Sequence, residues 1–271
     1  MIDTHSHLYD AAFDPDRDGV VKNARAAGVT GCILPAIEQE TVQAQRDCAA
    51  LYPDFCRIGV GLHPTSVQKD TFLAELDVVE AQLRRFAVPE TQNALKQADR
   101  WQKPVAIGEI GLDAYWSREN FDLQLQVFEQ QLQWASAYGL PVIIHARACF
   151  PELMDCLKRN RSLGLRGSLH AWSGSRELFA QANRYGEFKM GIGGVLTYKN
   201  AHLAEVVRDT ELSEILLETD APWLAPVPWR GQRNQSAYVR IVAKKIAEIK
   251  EISFEEVDRQ TTQNALSLFG L

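Results

Sequence analysis

Five of the six histidines in the chain fall near the ends of short apolar runs that read as strands, and two carboxylates fall at equivalent places. His5 and His7 close the first run, His63 the third, His145 the fifth and His170 the sixth. Glu109 follows Val105–Ala106–Ile107, a run that opens on Pro104 and closes on Gly111, and Asp220 ends a late run. A carboxylate at the tip of a buried strand is costly unless something positive meets it. Imidazole and carboxylate donors with no thiolate among them suit Zn, Mn, Co, Ni or Mg rather than a structural zinc knot. The expected arrangement puts His5, His7 and Asp220 on one ion and His145 and His170 on another, with Glu109 bridging. Two ions about 3.5–4 Å apart would activate a water between them and polarise a phosphoryl or carbonyl oxygen. Asp220 would then accept the proton of the attacking water. His202 falls in a helical stretch and reads as plain surface.

Other residues near these positions have two readings each. His63, just before Pro64, is an extra ligand, a proton shuttle or a group that binds the scissile phosphate; otherwise it fixes a turn. Arg147, two residues past His145, faces the same way on a strand and suits phosphate through paired donors, or an ion pair with a neighbouring loop. Asp3 lies deeper on the face of His5 and His7, where it would orient a histidine. Glu218 faces inward, either to hydrogen-bond a ligand histidine or to fill the interior beside a buried partner. The late loop P-W-L-A-P-V-P-W-R-G-Q-R-N carries Trp223, Trp229, Arg230, Arg233 and Asn234. Aromatics interleaved with arginines stack bases and hold backbone phosphates; the plainer reading is a surface loop pinned by prolines.

The elements that must position these groups alternate. Strands are expected over 1–7, 29–37, 55–62, 105–109, 142–146, 167–171, 188–192 and 214–220. Helices are expected over 16–27, 38–51, 71–85, 91–101, 117–138, 151–160, 175–185, 201–207, 236–250 and 253–269, with Ser117 as a cap. This alternation favours parallel βα units. An open doubly wound sheet would be supported by a G-x-G-x-x-G turn after the first strand, and there is none. The ligand-type residues end the first, fourth, fifth, sixth and eighth strands, and only a closed ring brings those ends to one mouth. The expected fold is therefore a TIM-type (β/α)8 barrel, a single domain over residues 1–271.

Composition sets the limits. Hydrophobic residues are 46% and charged residues 24% of the 271, enough for a large core and against disorder. A net charge of −6 excludes an overall basic footprint for nucleic acid, although bound cations supply local positive charge. Five scattered cysteines with no Cys-x-x-Cys pair read as reduced, buried thiols of a cytoplasmic protein. No signal peptide is expected before the first strand and no run reaches membrane-spanning length.

The ordered motifs resemble those of the TatD-like metal-dependent hydrolases of the amidohydrolase superfamily. They are D-T-H-S-H at 3–7, G-L-H-P at 61–64, G-E-I-G-L-D at 108–113, I-H-A-R at 144–147, H-A-W-S-G at 170–174, E-T-D-A-P at 218–222 and R-N at 233–234. The resemblance implies a barrel with two or three divalent ions, held by His5, His7, Glu109, His145, His170 and Asp220, with His63 near the reacting group. It also implies phosphodiesterase activity, typically as a deoxyribonuclease and often as a 3′-to-5′ exonuclease on single-stranded DNA ends. Related barrels often bridge their ions with a carbamylated lysine; here Glu109 stands at the fourth strand instead. H-A-W-S-G replaces the usual H-C-F-S-G, Asn234-Gln235-Ser236 replaces N-E-P, and the stretch between Pro64 and Gly108 is longer than usual. These departures bear on substrate preference and leave the metal set whole. Two rivals follow: a hydrolase of a small ester, an amide or an aminoacyl-tRNA, mildly favoured by the negative charge, and a non-catalytic binding protein on the same barrel. A monomer is expected.

Overall fold

The short apolar runs form strands and the amphipathic runs between them form helices. The computed structural model describes residues 1–87, 103–199 and 202–271. Its strands are β1 (Ile2–Asp3), β2 (Gly31–Leu34), β3 (Cys56–Val60), β4 (Ala106–Asp113), β5 (Val142–Arg147), β6 (Arg166–Leu169), β7 (Glu187–Ile192) and β8 (Ile215–Leu217). The helices are α1 (Arg17–Ala26), α2 (Gln39–Leu51), α3 (Phe72–Ala87), α4 (Phe121–Tyr138), α5 (Phe150–Arg159), α6 (Arg176–Ala182), α7 (Leu203–Asp209), α8 (Val239–Lys250) and α9 (Phe254–Phe269). Strand order follows chain order, β1 to β8, in one eight-stranded sheet. Parallel strands in that order, each followed by helix, are the topology of a (β/α)8 barrel, the expected class. Among the described residues, no helix is long and apolar enough to cross a membrane.

The chain divides into two compact units. The first comprises Met1–Leu34, His170–Phe179 and Lys189–Leu271. In it β1 runs parallel to β2, Ile2 opposite Gly31, and β7 runs parallel to β8, Met190 opposite Ile215. The Thr4 amide donates to the Leu217 carbonyl at 3.0 Å, tying the end of β1 to β8. Asn264 on α9 donates to the carbonyls of Leu212 and Ile215 at 2.9 and 2.8 Å, satisfying the backbone where β8 begins. Ser253 caps α9 by accepting the Glu256 amide at 3.1 Å.

The second unit comprises Pro35–Leu169 and Ala180–Phe188. Its sheet pairs β3 with β4, β4 with β5 and β5 with β6, all parallel. Strand ends here expose backbone groups to an apolar interior, and buried glutamines satisfy them. On α4, Gln131 accepts from the Leu62 amide at 2.7 Å and donates to its carbonyl at 3.1 Å. One face along, Gln124 accepts from the Asp113 amide at 2.9 Å and donates to its carbonyl at 3.2 Å. A helix that reads simply as amphipathic therefore also clamps two loop origins.

Several expected boundaries change. The first strand stops at Asp3 and the eighth at Leu217, so His5, His7, Glu218 and Asp220 lie beyond the ladders. A bridge between Ser6 and Ala221 continues the pairing there. The fourth strand, expected to end at Glu109, runs on to Asp113. Gly111, taken as a terminator, instead permits the close approach: its φ is +135°, and an added Cβ would stand 2.0 Å from the His145 carbonyl oxygen. The ladder from β4 to β5 shifts register between Ile107 and Ile110 to make this fit. Helix α4 starts at Phe121, with Asn120 at its N-cap; Ser117 caps a turn before it by accepting the Glu119 amide at 3.1 Å. The helix expected over 91–101 lies outside the described residues.

Candidate metal centre

In the first unit four expected ligands converge. His5 Nε2 and His7 Nε2 stand 3.1 Å apart, and Asp220 Oδ1 lies 3.6 Å from the first and 3.5 Å from the second. His170 Nε2 is 3.6 Å from that same oxygen, and its ring stacks on His5 with centroids 3.4 Å apart. His5, His7 and His170 are buried, and Asp220 is 17% exposed. The backbone makes this possible at Asp220, which takes a left-handed φ of +57° while its amide donates to the His5 carbonyl at 2.9 Å. Aspartate is one of the few side chains that tolerate that conformation.

Two of these imidazoles have outer partners that leave Nε2 turned to the cluster. His7 Nδ1 is 2.9 Å from the Tyr9 hydroxyl, and His170 Nδ1 is 3.1 Å from Glu218 Oε1. Ligand histidines are characteristically oriented this way, through the nitrogen that does not face the ion. Glu218 lies beside His170 and accepts the Ala171 amide at 2.6 Å. Gly191 makes room for it, since a Cβ there would stand 2.2 Å from Glu218 Oε2. Asp3 does something other than expected. Its carboxylate accepts from the Thr219 amide and hydroxyl at 3.0 and 2.7 Å and from the His5 amide at 3.4 Å, so it fixes backbone rather than an imidazole. Burial pushes its pKa up to about 7 against those hydrogen bonds. Asp220 goes the other way. Burial opposes its ionisation, yet the surrounding His170, His7 and His5 hold its carboxyl below the usual range.

In the second unit His63, Glu109 and His145 form a second group. His145 Nδ1 lies 3.0 Å and His63 Nε2 3.5 Å from Glu109 Oε1. His145 Nε2 lies 2.9 Å from Asp113 Oδ2. Asp113 is the residue the sequence reading missed, because it ended β4 at Glu109. Continued alternation would have put Glu109, Gly111 and Asp113 on one face. Burial works against its ionisation, but His145 and the amides of Tyr115 and Trp116 hold its carboxyl below the usual value. His63 Nδ1 accepts the Thr65 amide at 3.2 Å and sits 2.7 Å from the Thr65 hydroxyl, which fixes the turn at Pro64. With Nδ1 an acceptor, the neutral ring carries its proton on Nε2, the atom facing Glu109.

The donor chemistry fits divalent cations. His5, His7 and Asp220 bring their ligand atoms within 4.8 Å of one another, as do His63, Glu109 and His145. Nitrogen and oxygen lone pairs gathered this closely repel unless a proton or a cation sits among them, and no thiolate is present to restrict the choice of metal.

The expected substrate residues divide. Arg147 is exposed and lays its guanidinium 3.7 Å from the centre of the Tyr115 ring. Arg233 is committed elsewhere. It forms a paired bridge to Asp16 at 2.8 and 2.7 Å and lies over the Phe13 ring at 4.8 Å. Asn234 is fully buried and donates to the carbonyls of Thr219 and Trp223, both at 2.7 Å. Both residues hold the late loop in place through these contacts. In that loop Trp229 stacks on Tyr238, Arg230 lies over Tyr198, and Trp223 meets the His7 ring edge-on at 5.1 Å.

The profile of the TatD-related DNase family matches residues 2–270. The chain is 34% identical over 272 residues to YabD of Bacillus subtilis, named an uncharacterized metal-dependent hydrolase, covering 100% of this chain and 99% of that one. The crystal structure of YjjV, a TatD homolog from Escherichia coli, superposes with a TM-score of 0.87 at 30% identity, covering 100% and 98% of the two chains. A TatD family hydrolase from Entamoeba histolytica shares the fold, with a TM-score of 0.79 at 20% identity over 99% and 97%. A histidine- and carboxylate-lined cation site beyond the strand ends is what such a hydrolase needs, and on these matches the chain belongs to the TatD-related DNase family of metal-dependent hydrolases.

Proposed function

We propose that the protein is a metal-dependent deoxyribonuclease that removes nucleotides from single-stranded DNA ends in the 3′-to-5′ direction. The observation that carries this reading is the gathering of three imidazoles on the Asp220 carboxylate, a thiolate-free set suited to hard or borderline divalent cations. His5, His7 and Asp220 would hold one ion and His145 and His170 another, with Glu109 shared. Residues 1–271 would act as one catalytic domain, a monomer in the cytoplasm, where five free thiols stay reduced.

When bound, divalent ions polarise the phosphoryl oxygen and make a coordinated water acidic near neutral pH. Asp220, kept ionised and partly open to solvent, takes the proton of the attacking water. His63 donates from Nε2 to an oxygen of the phosphoryl group. Arg147 offers paired N–H donors to the phosphate.

The test is cleavage of end-labelled single-stranded DNA with Mg or Mn, with and without chelator. Shortening from the 3′ end that chelator abolishes is expected; cleavage that survives chelator overturns the reading. The net charge of −6 favours one other substrate class, a small ester, an amide or an aminoacyl-tRNA. Hydrolysis of such compounds with intact DNA would select it.

A further inference from the structure

The loop leaving β4 carries two large aromatic side chains that core packing does not use. Tyr115 is 56% and Trp116 73% exposed, and their rings meet edge-on with centroids 4.9 Å apart. The Arg147 guanidinium lies 3.7 Å from the Tyr115 ring centre and 5.5 Å from that of Trp116. Beside Trp116 opens a cavity of about 250 Å³, whose wall includes the amides of Gln68 and Asn120, the second donating to the first at 3.1 Å, the hydroxyls of Thr65 and Ser117 and the carboxylates of Asp113 and Glu119. An unstacked base presents a flat π face and an edge of donors and acceptors. Aromatic rings take the face, and amides and hydroxyls take the edge.

This loop is joined to the second ligand group by a single carboxylate. Asp113 Oδ1 accepts the Tyr115 amide at 2.9 Å, while its Oδ2 faces His145 Nε2 at 2.9 Å. The aromatic turn therefore has a fixed position relative to His145 and Glu109. We propose that Trp116, Tyr115 and the adjoining cavity form a subsite for one unstacked base of single-stranded DNA, next to the phosphate that is cleaved, with Arg147 on the backbone. The choice of DNA rests on the nuclease reading above. A base inside a duplex has both faces covered by its neighbours, so the subsite selects single strands and frayed ends.

The test is equilibrium binding of the full chain, in chelator so that nothing is cut, to labelled oligo-dT and to an abasic oligomer of equal length. Wild type binds oligo-dT the more tightly. Trp116→Ala weakens oligo-dT about 5- to 150-fold, the range one stacked base supplies, and leaves the abasic oligomer unchanged. Its ring is mostly in water, so the fold is retained, as circular dichroism would show. Arg147→Ala weakens both oligomers. Equal affinity of wild type for the two oligomers, or equal loss on both with Trp116→Ala, overturns the subsite. DNA cleavage beside such equal binding leaves the nuclease reading standing without it. Discrimination between the oligomers with no metal-dependent cleavage leaves the subsite standing without the nuclease.

Discussion

Glu218 behind His170 and Asp113 behind His145 are the same device on two imidazoles, a buried carboxylate within hydrogen-bonding reach of the nitrogen turned away from the cation side. Removing such a partner characteristically costs about 10- to 100-fold in metal affinity or activity. Glu218→Gln should fall in that range by calorimetric titration with Mn, because the amide keeps the shape and loses the charge. Glu109→Ala should abolish turnover with the circular dichroism spectrum unchanged; near-normal turnover would show that Glu109 bridges nothing. Arg147→Ala should raise KM for phosphodiesters and spare neutral esters, and an equal effect on both would remove its phosphate role. The residues that the structure gathers into the two groups were readable from type and spacing. Their partners were less so, since Tyr9, Thr65 and Asp113 become visible only when the neighbouring backbone is placed.

Elements decide how accurately those residues are held. Every strand among the described residues is legible as an apolar run, yet the pattern overextends β1 and β8 and cuts β4 short. The reason is physical: alternation continues in extended backbone after the ladder has stopped, and a glycine that normally ends a strand can equally admit a close neighbour. Gly111 and Gly191 mark the two tightest places around the candidate ligands. Gly191→Ala should drive Glu218 off His170 and lower Mn affinity about as far as Glu218→Gln, again about 10- to 100-fold. If the variant binds metal normally, Glu218 has somewhere else to go and its support of His170 is dispensable. At the start of α1, Asp16 is held below its usual value of 3.8 by Arg233. A depressed carboxylate stabilises the fold above the unfolded value and loses that contribution as pH falls through the folded one. The difference in Tm between wild type and Arg233→Ala should therefore be small near neutral pH, given the exposure of the pair, and vanish in acid below the usual aspartate range.

For the whole molecule, all five cysteines are buried, and burial pushes the Cys149 and Cys156 thiols up to about 12. Because the thiolate is the reactive form, the native protein at pH 8 should be silent to a disulfide reagent and should titrate five thiols once denatured. Fold class was readable throughout, since eight alternating βα units leave few topologies, and the late loop was the part that was not. Residue type alone does not reveal that Arg233, Asn234, Trp229 and Arg230 meet Asp16, backbone carbonyls, Tyr238 and Tyr198 there. Asn234 matters most among them. Its amide donates to the Pro222 carbonyl at 2.9 Å and its side chain to the Trp223 carbonyl, so the loop is drawn shut at its neck. The same side chain grips Thr219, one residue from Asp220. Chain inserted or deleted beyond that neck leaves the aspartate where it is, and doubling the length of a closed loop costs only about 0.6 kcal/mol. The length of the loop past its neck is thus uncoupled from the placing of the carboxylate behind it.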